Sequence, residues 1–131
     1  MDPNKDALNR GILAEELVSI KLLEEGFNVA RPVQIGPIDM LSIWEGKVTK
    51  RLQVKSAASR TENLRYEFRI LPSKGTYGDT VDFLILAGVE TKSFWIVPAS
   101  QIGDLKKINC AVGGNNRFDK YFDAIRLLKK G

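Results

Sequence analysis

Four polar residues have the types and spacing that metal-assisted chemistry needs: Glu15, Asp39, Gln53 and Lys55. Gln53 and Lys55 alternate with apolar residues in RLQVKSA, which predicts a strand that carries both on one face. Carboxylate and amide oxygens are the ligands that Mg²⁺ prefers, and a lysine beside them can stabilise charge in a transition state. If the strand that carries Asp39 pairs with the strand that carries Gln53, then Asp39, Gln53 and Lys55 lie on one face of the sheet.

Each residue also has a plainer interpretation. Asp39 stands near the start of a strand, where the end of a sheet is often in contact with water. The alternation around Gln53 and Lys55 is what any half-exposed strand shows. Glu15 fits a solvated position on a helix surface, because glutamates are rarely buried. The metal-site interpretation therefore depends on the four residues occurring together.

The first predicted element is a helix over DPNKDALNRGILAEELVSIKLLEEG, which ends at Gly26 and carries Glu15. The spacing predicts an apolar stripe toward the core, formed by Leu8, Ile12 and Leu22 and widened by Leu13, Leu17 and Ile20. Glu15 stays near this stripe, seven residues after Leu8 and three after Ile12. Gly11 costs the helix about 1 kcal/mol relative to alanine, which suggests the close approach of another element.

The middle of the chain predicts strands. FNVARPV and GPIDMLSIW are followed by a tight turn at EG (45–46) into KVTKRLQVKSA, which predicts an antiparallel hairpin. LRYEFRIL is another predicted strand, and PSKGTYGDT is a predicted loop. VDFLILAGVE is apolar almost throughout, as expected of a central strand covered on both faces, with SFWIVPAS as its neighbour.

The end of the chain predicts helices. SQIGDLKKI fits a short helix capped by Ser100, and FDKYFDAIRLLKK fits a closing amphipathic helix. Its predicted inward residues are Phe118, Phe122, Ile125 and Leu128. The order of helix, strands and helix predicts an α/β sandwich on a central mixed β-sheet flanked by helices, with residues 1–131 forming one domain.

Composition restricts the chemistry further. The chain has no histidine and one cysteine, which excludes His-dependent triads, the usual zinc sites and an intrachain disulfide. A net charge of +4 is compatible with a polyanionic partner. No apolar leader segment and no run of membrane-spanning length occurs in the sequence, so we expect a cytoplasmic protein without a membrane partner.

Taken together, the motifs resemble those of the PD-(D/E)XK nuclease superfamily. GPID (36–39) is similar to the P-D element, and QVK (53–55) is similar to the (D/E)XK element with glutamine in place of the acid. The most similar branches are the small single-domain members, archaeal Holliday-junction resolvases and group I intron-encoded homing endonucleases. GILAE, QVKSA and FWIVPAS carry the second of these resemblances, which runs from about Gly11 to Pro98.

The resemblance implies a restriction-endonuclease-like fold and Mg²⁺-dependent hydrolysis of DNA phosphodiester bonds, with Mn²⁺ as a substitute metal. It implies that Asp39 is the central metal ligand, that Gln53 stands where the second acid usually does, and that Lys55 is the catalytic lysine. Glu15 resembles the helix-borne acid that completes the site. The main-chain carbonyl of Val54 is a further candidate ligand.

The expected partner is double-stranded or branched DNA, bound by a homodimer or homotetramer. The candidate DNA contacts are Arg51, Arg69, Lys74, Tyr77, Asn116 and Arg117. Lys74 and Tyr77 belong either to a loop over the cleaved strand or to an ordinary solvated loop. Asn116 and Arg117 either reach a groove or flank the last helix, with Asn116 as its N-cap.

Glutamine in place of an acid leaves two other functions open. The domain could have kept the fold and the DNA surface while losing turnover, which would make it a catalytically degenerate DNA-binding or assembly module. Alternatively, it could be an α/β protein whose basic surface binds RNA or a protein partner. Dependence on a divalent metal separates the enzyme from the degenerate module.

Overall fold

The structure is a computed structural model that describes residues 3–33, 36–70 and 80–131, without the side chains of residues 3–5, 7 and 8. Within these residues the long helix and the strands are α1 Pro3–Glu24, β1 Asn28–Ala30, β2 Met40–Trp44, β3 Val48–Ala57, β4 Tyr66–Arg69, β5 Phe83–Gly88, β6 Ser93–Pro98 and β7 Lys107–Cys110. Among these described residues, no helix is long and apolar enough to cross a membrane.

Five strands form the central sheet in the order β1-β2-β3-β5-β6, with β3 and β5 parallel and the other pairs antiparallel. The predicted hairpin is confirmed: β2 and β3 are joined by a turn in which Glu45 and Gly46 have φ angles of 53° and 68°. Such positive φ values suit the right-handed twist of the flanking strands. β5 is buried along its whole length beside β6, also as predicted, and the α/β class with a mixed central sheet is confirmed.

Helix α1 covers one face of this sheet through Ala14, Val18 and Leu22, which pack into a core with sheet residues such as Leu52 and Ile85. The predicted stripe is right at Leu22, which is buried, and at Leu17, which packs partly buried against this core, and wrong at three other positions. Ile12, Leu13 and Ile20 lie largely outside the core, each about half exposed, and the side chain of Leu8 lies outside the described residues. The helix carries apolar residues on two sides, and small Ala14 rather than Ile12 marks the side that the sheet covers.

Gly11 does not mark a close approach. Among the described residues, a Cβ atom built at this position has no neighbour within 4 Å, so the expected close approach of another element is not found there.

The opposite face of the sheet is covered by β4 and β7, which pair as a separate antiparallel ribbon. Phe68 and Ile108 from this ribbon pack with Leu84 and Trp95 of the central sheet. The strand predicted over 64–71 is confirmed as β4. The short helix predicted over 100–108 is wrong: a 3₁₀ turn at Ala99–Gln101 is followed by β7, whose residues alternate between exposed and buried as they pair with β4.

The closing amphipathic helix is also absent among residues 80–131. Two 3₁₀ turns, Asp119–Tyr121 and Ile125–Lys129, stand in its place. Asp123 interrupts them with a φ of 53°, and its N–H donates to the carbonyl of Phe94 on β6. This segment thus adds to the sheet edge instead of forming its own helix.

The predicted inward positions of the closing segment are partly right. Phe118, Ile125 and Leu128 are buried as predicted. Phe122 is 39% exposed, although its ring centroid lies 5.5 Å from that of buried Trp95.

Candidate active site

Asp39 is fixed by the main chain of β3. It stands one residue before β2, whose first pair joins Met40 to Leu52. The Asp39 N–H donates to the Leu52 carbonyl at 2.8 Å, and the Val54 N–H donates to Asp39 Oδ2 at 2.7 Å. Since these two contacts flank Gln53 in sequence, they bring the carboxylate beside that residue.

Gln53 and Lys55 lie on the face of the sheet that α1 does not cover. Leu52 and Val54 pack with the core on the α1 side, so the residues that alternate with them project to the other side. Gln53 Oε1 is buried and accepts no hydrogen bond from any described residue. A buried acceptor without a partner costs about 1–3 kcal/mol, so such an atom is normally satisfied by a water, an ion or a ligand.

Helix α1 brings Glu15 into electrostatic range of Asp39. Burial raises the pKa of the Glu15 carboxyl above its ordinary 4.5, and the Asp39 charge raises it further. Arg31 acts in the opposite direction and lowers the Glu15 pKa, while the charge of Glu16 raises it. Two carboxylates from distant parts of the chain therefore share one region.

Arg31 is a residue of this region that the sequence analysis missed. Its Nη1 lies 2.7 Å from Glu16 Oε1, and its Nη2 donates to the main-chain carbonyl of Glu15 at 3.5 Å. Arg31 follows the short strand β1 in a stretch without any motif. Only the packing of β1 beside α1 places it next to the acids.

Burial disfavours the charged form of each ionisable group in this site. Burial raises the pKa of Asp39, although the Val54 hydrogen bond and the Lys55 charge both lower it. Burial lowers the pKa of Lys55, while the charge of Asp39 raises it. Groups whose pKa values are shifted by burial and by a charged neighbour cluster at functional sites, which makes this region a candidate site.

The oxygen donors of this site fit Mg²⁺. The ion is usually bound through one or two carboxylates, with waters and substrate phosphate completing its shell. Asp39 Oδ2 accepts from Val54, which leaves its other oxygen for a cation; Gln53 has an amide oxygen beside it, and the Glu15 carboxylate lies within electrostatic range. In the described part of the chain no group of three or more His, Cys, Asp or Glu residues is placed to hold a metal.

Arg51, predicted to contact DNA, is paired with Asp82. Its main-chain N–H donates to Asp82 Oδ2 at 2.7 Å, and its Nη2 lies 3.1 Å from Oδ1. The hydrogen bonds and charge of Arg51 lower the pKa of Asp82. The pair links β3 to the residue before β5, so Arg51 has a structural role whether or not it also meets DNA.

The other predicted DNA contacts are spread over the molecule. Arg69 is exposed on β4, opposite Lys107 of β7. Arg117 donates to the Gln101 carbonyl at 3.1 Å and lies over the ring of Phe118. Lys74 and Tyr77 lie outside the described residues.

Asn116 is not an N-cap, because no helix begins there. Its N–H donates to Asp119 Oδ2 at 2.8 Å, while Asp119 Oδ1 accepts from the N–H of Ala111. The capping carboxylate of this turn therefore belongs to Asp119.

The fold is shared with a nuclease of known structure. That protein is a bacterial homing endonuclease, I-Ssp6803I, which superposes with a TM-score of 0.79 over 92% of this chain and 88% of the other. The two sequences are 21% identical, so the similarity establishes the fold. Comparison with protein-family profiles and with curated proteins gives no match.

Proposed function

We propose that this protein is a Mg²⁺-dependent DNA endonuclease that hydrolyses phosphodiester bonds. The observation that carries the proposal is the buried Gln53 Oε1 without a partner, beside the Asp39 carboxylate that β3 holds in place. The shared fold with a homing endonuclease supports it.

Asp39, Glu15 and Gln53 are the proposed Mg²⁺ ligands, with Mn²⁺ as a substitute and the Val54 carbonyl as a further candidate. The bound ion would polarise the scissile phosphate and lower the pKa of the attacking water. Asp39 is suited to the central position because the Val54 hydrogen bond fixes one of its oxygens. Glu15 restores the second negative charge that glutamine at position 53 does not provide.

Lys55 is the proposed catalytic lysine. Its ammonium group is partly buried on the same face as Gln53, and the charge of Asp39 opposes the lowering of its pKa by burial. A positive group in this place can orient the attacking water or stabilise the charge that develops on the phosphate. The side chain therefore acts on the reacting atoms, whereas Arg31 acts through Glu15.

The proposed substrate is DNA, either at a specific duplex site or at a branched structure. Because the structural neighbour is a homing endonuclease, we favour site-specific cutting of duplex DNA. The sequence resemblance to Holliday-junction resolvases makes the four-way junction a second candidate substrate. One small domain covers little DNA, so cutting both strands would require a homodimer or homotetramer.

A second function is favoured by the chemistry of position 53. Glutamine brings no negative charge, and no third acid compensates for it among the described residues. A catalytically degenerate DNA-binding or assembly module on the same fold is consistent with that loss. Such a module would bind DNA equally well with and without metal.

The test is a cleavage assay on supercoiled plasmid, a four-way junction and DNA from the protein's own source, each with Mg²⁺, Mn²⁺ or EDTA. Asp39→Asn and Lys55→Met should abolish cutting while DNA binding remains. Lys50→Met is the matched control, because Lys50 lies on the same strand and alternates to the other face. Metal-independent binding without cutting of any substrate would favour the degenerate module.

A further inference from the structure

One flank of α1 carries an apolar stripe that the described residues leave largely uncovered; only Leu17, in its middle, packs partly against the core. Leu13 and Ile20 are 46% and 50% exposed, and half-buried Leu17 lies between them. At 100° per residue these three side chains fall within an arc of about 60°. Arg10 and Glu24 extend the stripe, each seven residues from Leu17, and the five residues together are called the α1 stripe here.

The apolar surface continues beyond the helix. An open groove of about 370 Å³ lies beside the C-terminal half of the α1 stripe. Leu17 and Ile20 line it on the helix side, and Phe94 and Phe122 line it on the side of β6. Exposed contiguous apolar surface of this kind marks an interaction site more often than ordinary solvated surface.

The charges of the stripe are complementary to each other. Arg10 and Glu24 are exposed, and in the described part of the chain neither forms an ion pair. Lys21 on the groove rim is different, because it is already paired with Glu25 and Asp123 at 3.3 and 3.2 Å. The two ends of the stripe therefore present one unpaired charge of each sign.

We propose that the α1 stripe binds the same stripe of a second copy of this chain, with the two helices antiparallel about a twofold axis near Leu17. This axis exchanges positions at equal distances from Leu17, so Arg10 of each copy meets Glu24 of the other. Leu13 of each copy then lies over the groove beside Ile20 of the other. One surface complementary to itself in this way is what a twofold homodimer requires.

The arrangement keeps the candidate active site open. Glu15 is about 160° around the helix from Leu17 and so lies on the flank that faces away from the second copy. The proposal does not rest on nuclease activity, and its test needs no DNA.

The first measurement is the molar mass by light scattering and sedimentation over a dilution series. The full chain should have twice its 14.6 kDa mass and dissociate on dilution. Ile20→Asp should make it monomeric. Ile12→Asp is the matched control, since Ile12 is an isoleucine of the same helix, 51% exposed, about 140° around the helix from Leu17. Circular dichroism establishes that both variants fold.

Charge reversal tests the register. Arg10→Glu or Glu24→Arg alone should raise the dimer Kd about tenfold, because each places like charges together twice in the interface. Both changes in one chain should restore the original Kd. A chain that is monomeric at every concentration would overturn the proposal and leave the stripe to a different protein. A dimer indifferent to Ile20→Asp, or a double variant that is not restored, would overturn it as well.

Discussion

The Val54 N–H donates a 2.7 Å hydrogen bond to Asp39 Oδ2, which joins the middle of β3 to the residue before β2. This contact holds a partly buried carboxylate in one orientation beside Gln53. The same burial raises the Asp39 pKa above its ordinary 3.8 even though the hydrogen bond lowers it. The Asp39 carboxylate is therefore held in one orientation, and burial disfavours its negative charge. A bound cation would stabilise that charge.

The first prediction concerns Asp39→Asn. Because the Asp39 pKa is raised on folding, the folded state binds a proton more tightly, and stability falls as pH rises through the folded pKa. At pH 7 without metal the variant should melt a few degrees above the wild type, since asparagine keeps the acceptor for Val54 and removes the charge. The gain should vanish below pH 3.8, where the carboxyl group is protonated in both states.

Thermal unfolding in EDTA and in Mg²⁺ checks this prediction. Mg²⁺ should raise the melting temperature of the wild type and leave Asp39→Asn unchanged, because a ligand stabilises only the state that binds it. A variant that is less stable than the wild type at pH 7 in EDTA would contradict the assignment of charge strain to Asp39.

The second prediction concerns Gln53. Gln53→Glu should lower the Kd for Mg²⁺ about tenfold, because ligand charge controls affinity for hard cations. Gln53→Leu should abolish the stabilisation by Mg²⁺ while leaving the metal-free protein at least as stable, since it removes a buried acceptor without a partner. Calorimetric titration measures the first effect, and Gln101→Glu at an exposed position is the control. Equal Mg²⁺ affinity in all four proteins would exclude Gln53 as a ligand.

The third prediction concerns pH and the acids of α1. Mg²⁺ binding requires ionised carboxylates, so it should weaken as pH falls through the raised pKa of Glu15. Arg31→Ala should raise the pH at which Mg²⁺ binding is lost, because the arginine lowers the Glu15 pKa. Glu16→Gln should lower the pH at which Mg²⁺ binding is lost, because the Glu16 charge raises the same pKa.

The measurement is the Kd for Mg²⁺ across the acid range, by calorimetry or by the shift in melting temperature. The opposite signs of the two variants separate an electrostatic effect on Glu15 from a general loss of structure, which would move both in one direction. Shifts of the same sign would contradict the positioning role of Arg31.

The fourth prediction compares two glycines. A Cβ at Gly88 would overlap the ring of buried Tyr66, so Gly88→Ala should lower the free energy of unfolding by about 1–3 kcal/mol. Gly11→Ala should raise it by about 0.5–1 kcal/mol, because the helix position is open and alanine is the better helix former. Urea unfolding of both variants measures the difference. A stabilising Gly88→Ala would show that the contact with Tyr66 relaxes freely.

The local sequence determined the hairpin, the central strands and the face on which Gln53 and Lys55 lie. Glu45 and Gly46 form a turn that fixes the register of β2 and β3, and period-two alternation separates Leu52 from Gln53 whatever surrounds the strand. These features depend on contacts between residues close in sequence, which a pattern records directly.

Only the tertiary structure decided which side of each amphipathic segment is buried. In α1 the predicted inward stripe included Ile12 and Ile20, whereas the sheet covers Ala14 and Val18, whose side chains are smaller. Residues 118–129 have a helical pattern, yet the bond from the Asp123 N–H to the Phe94 carbonyl attaches them to a sheet edge. No sequence pattern indicates that Arg31 contacts Glu15 and Glu16. Apolar periodicity shows which residues share one face of a segment. Contacts with residues distant in sequence determine which face is buried.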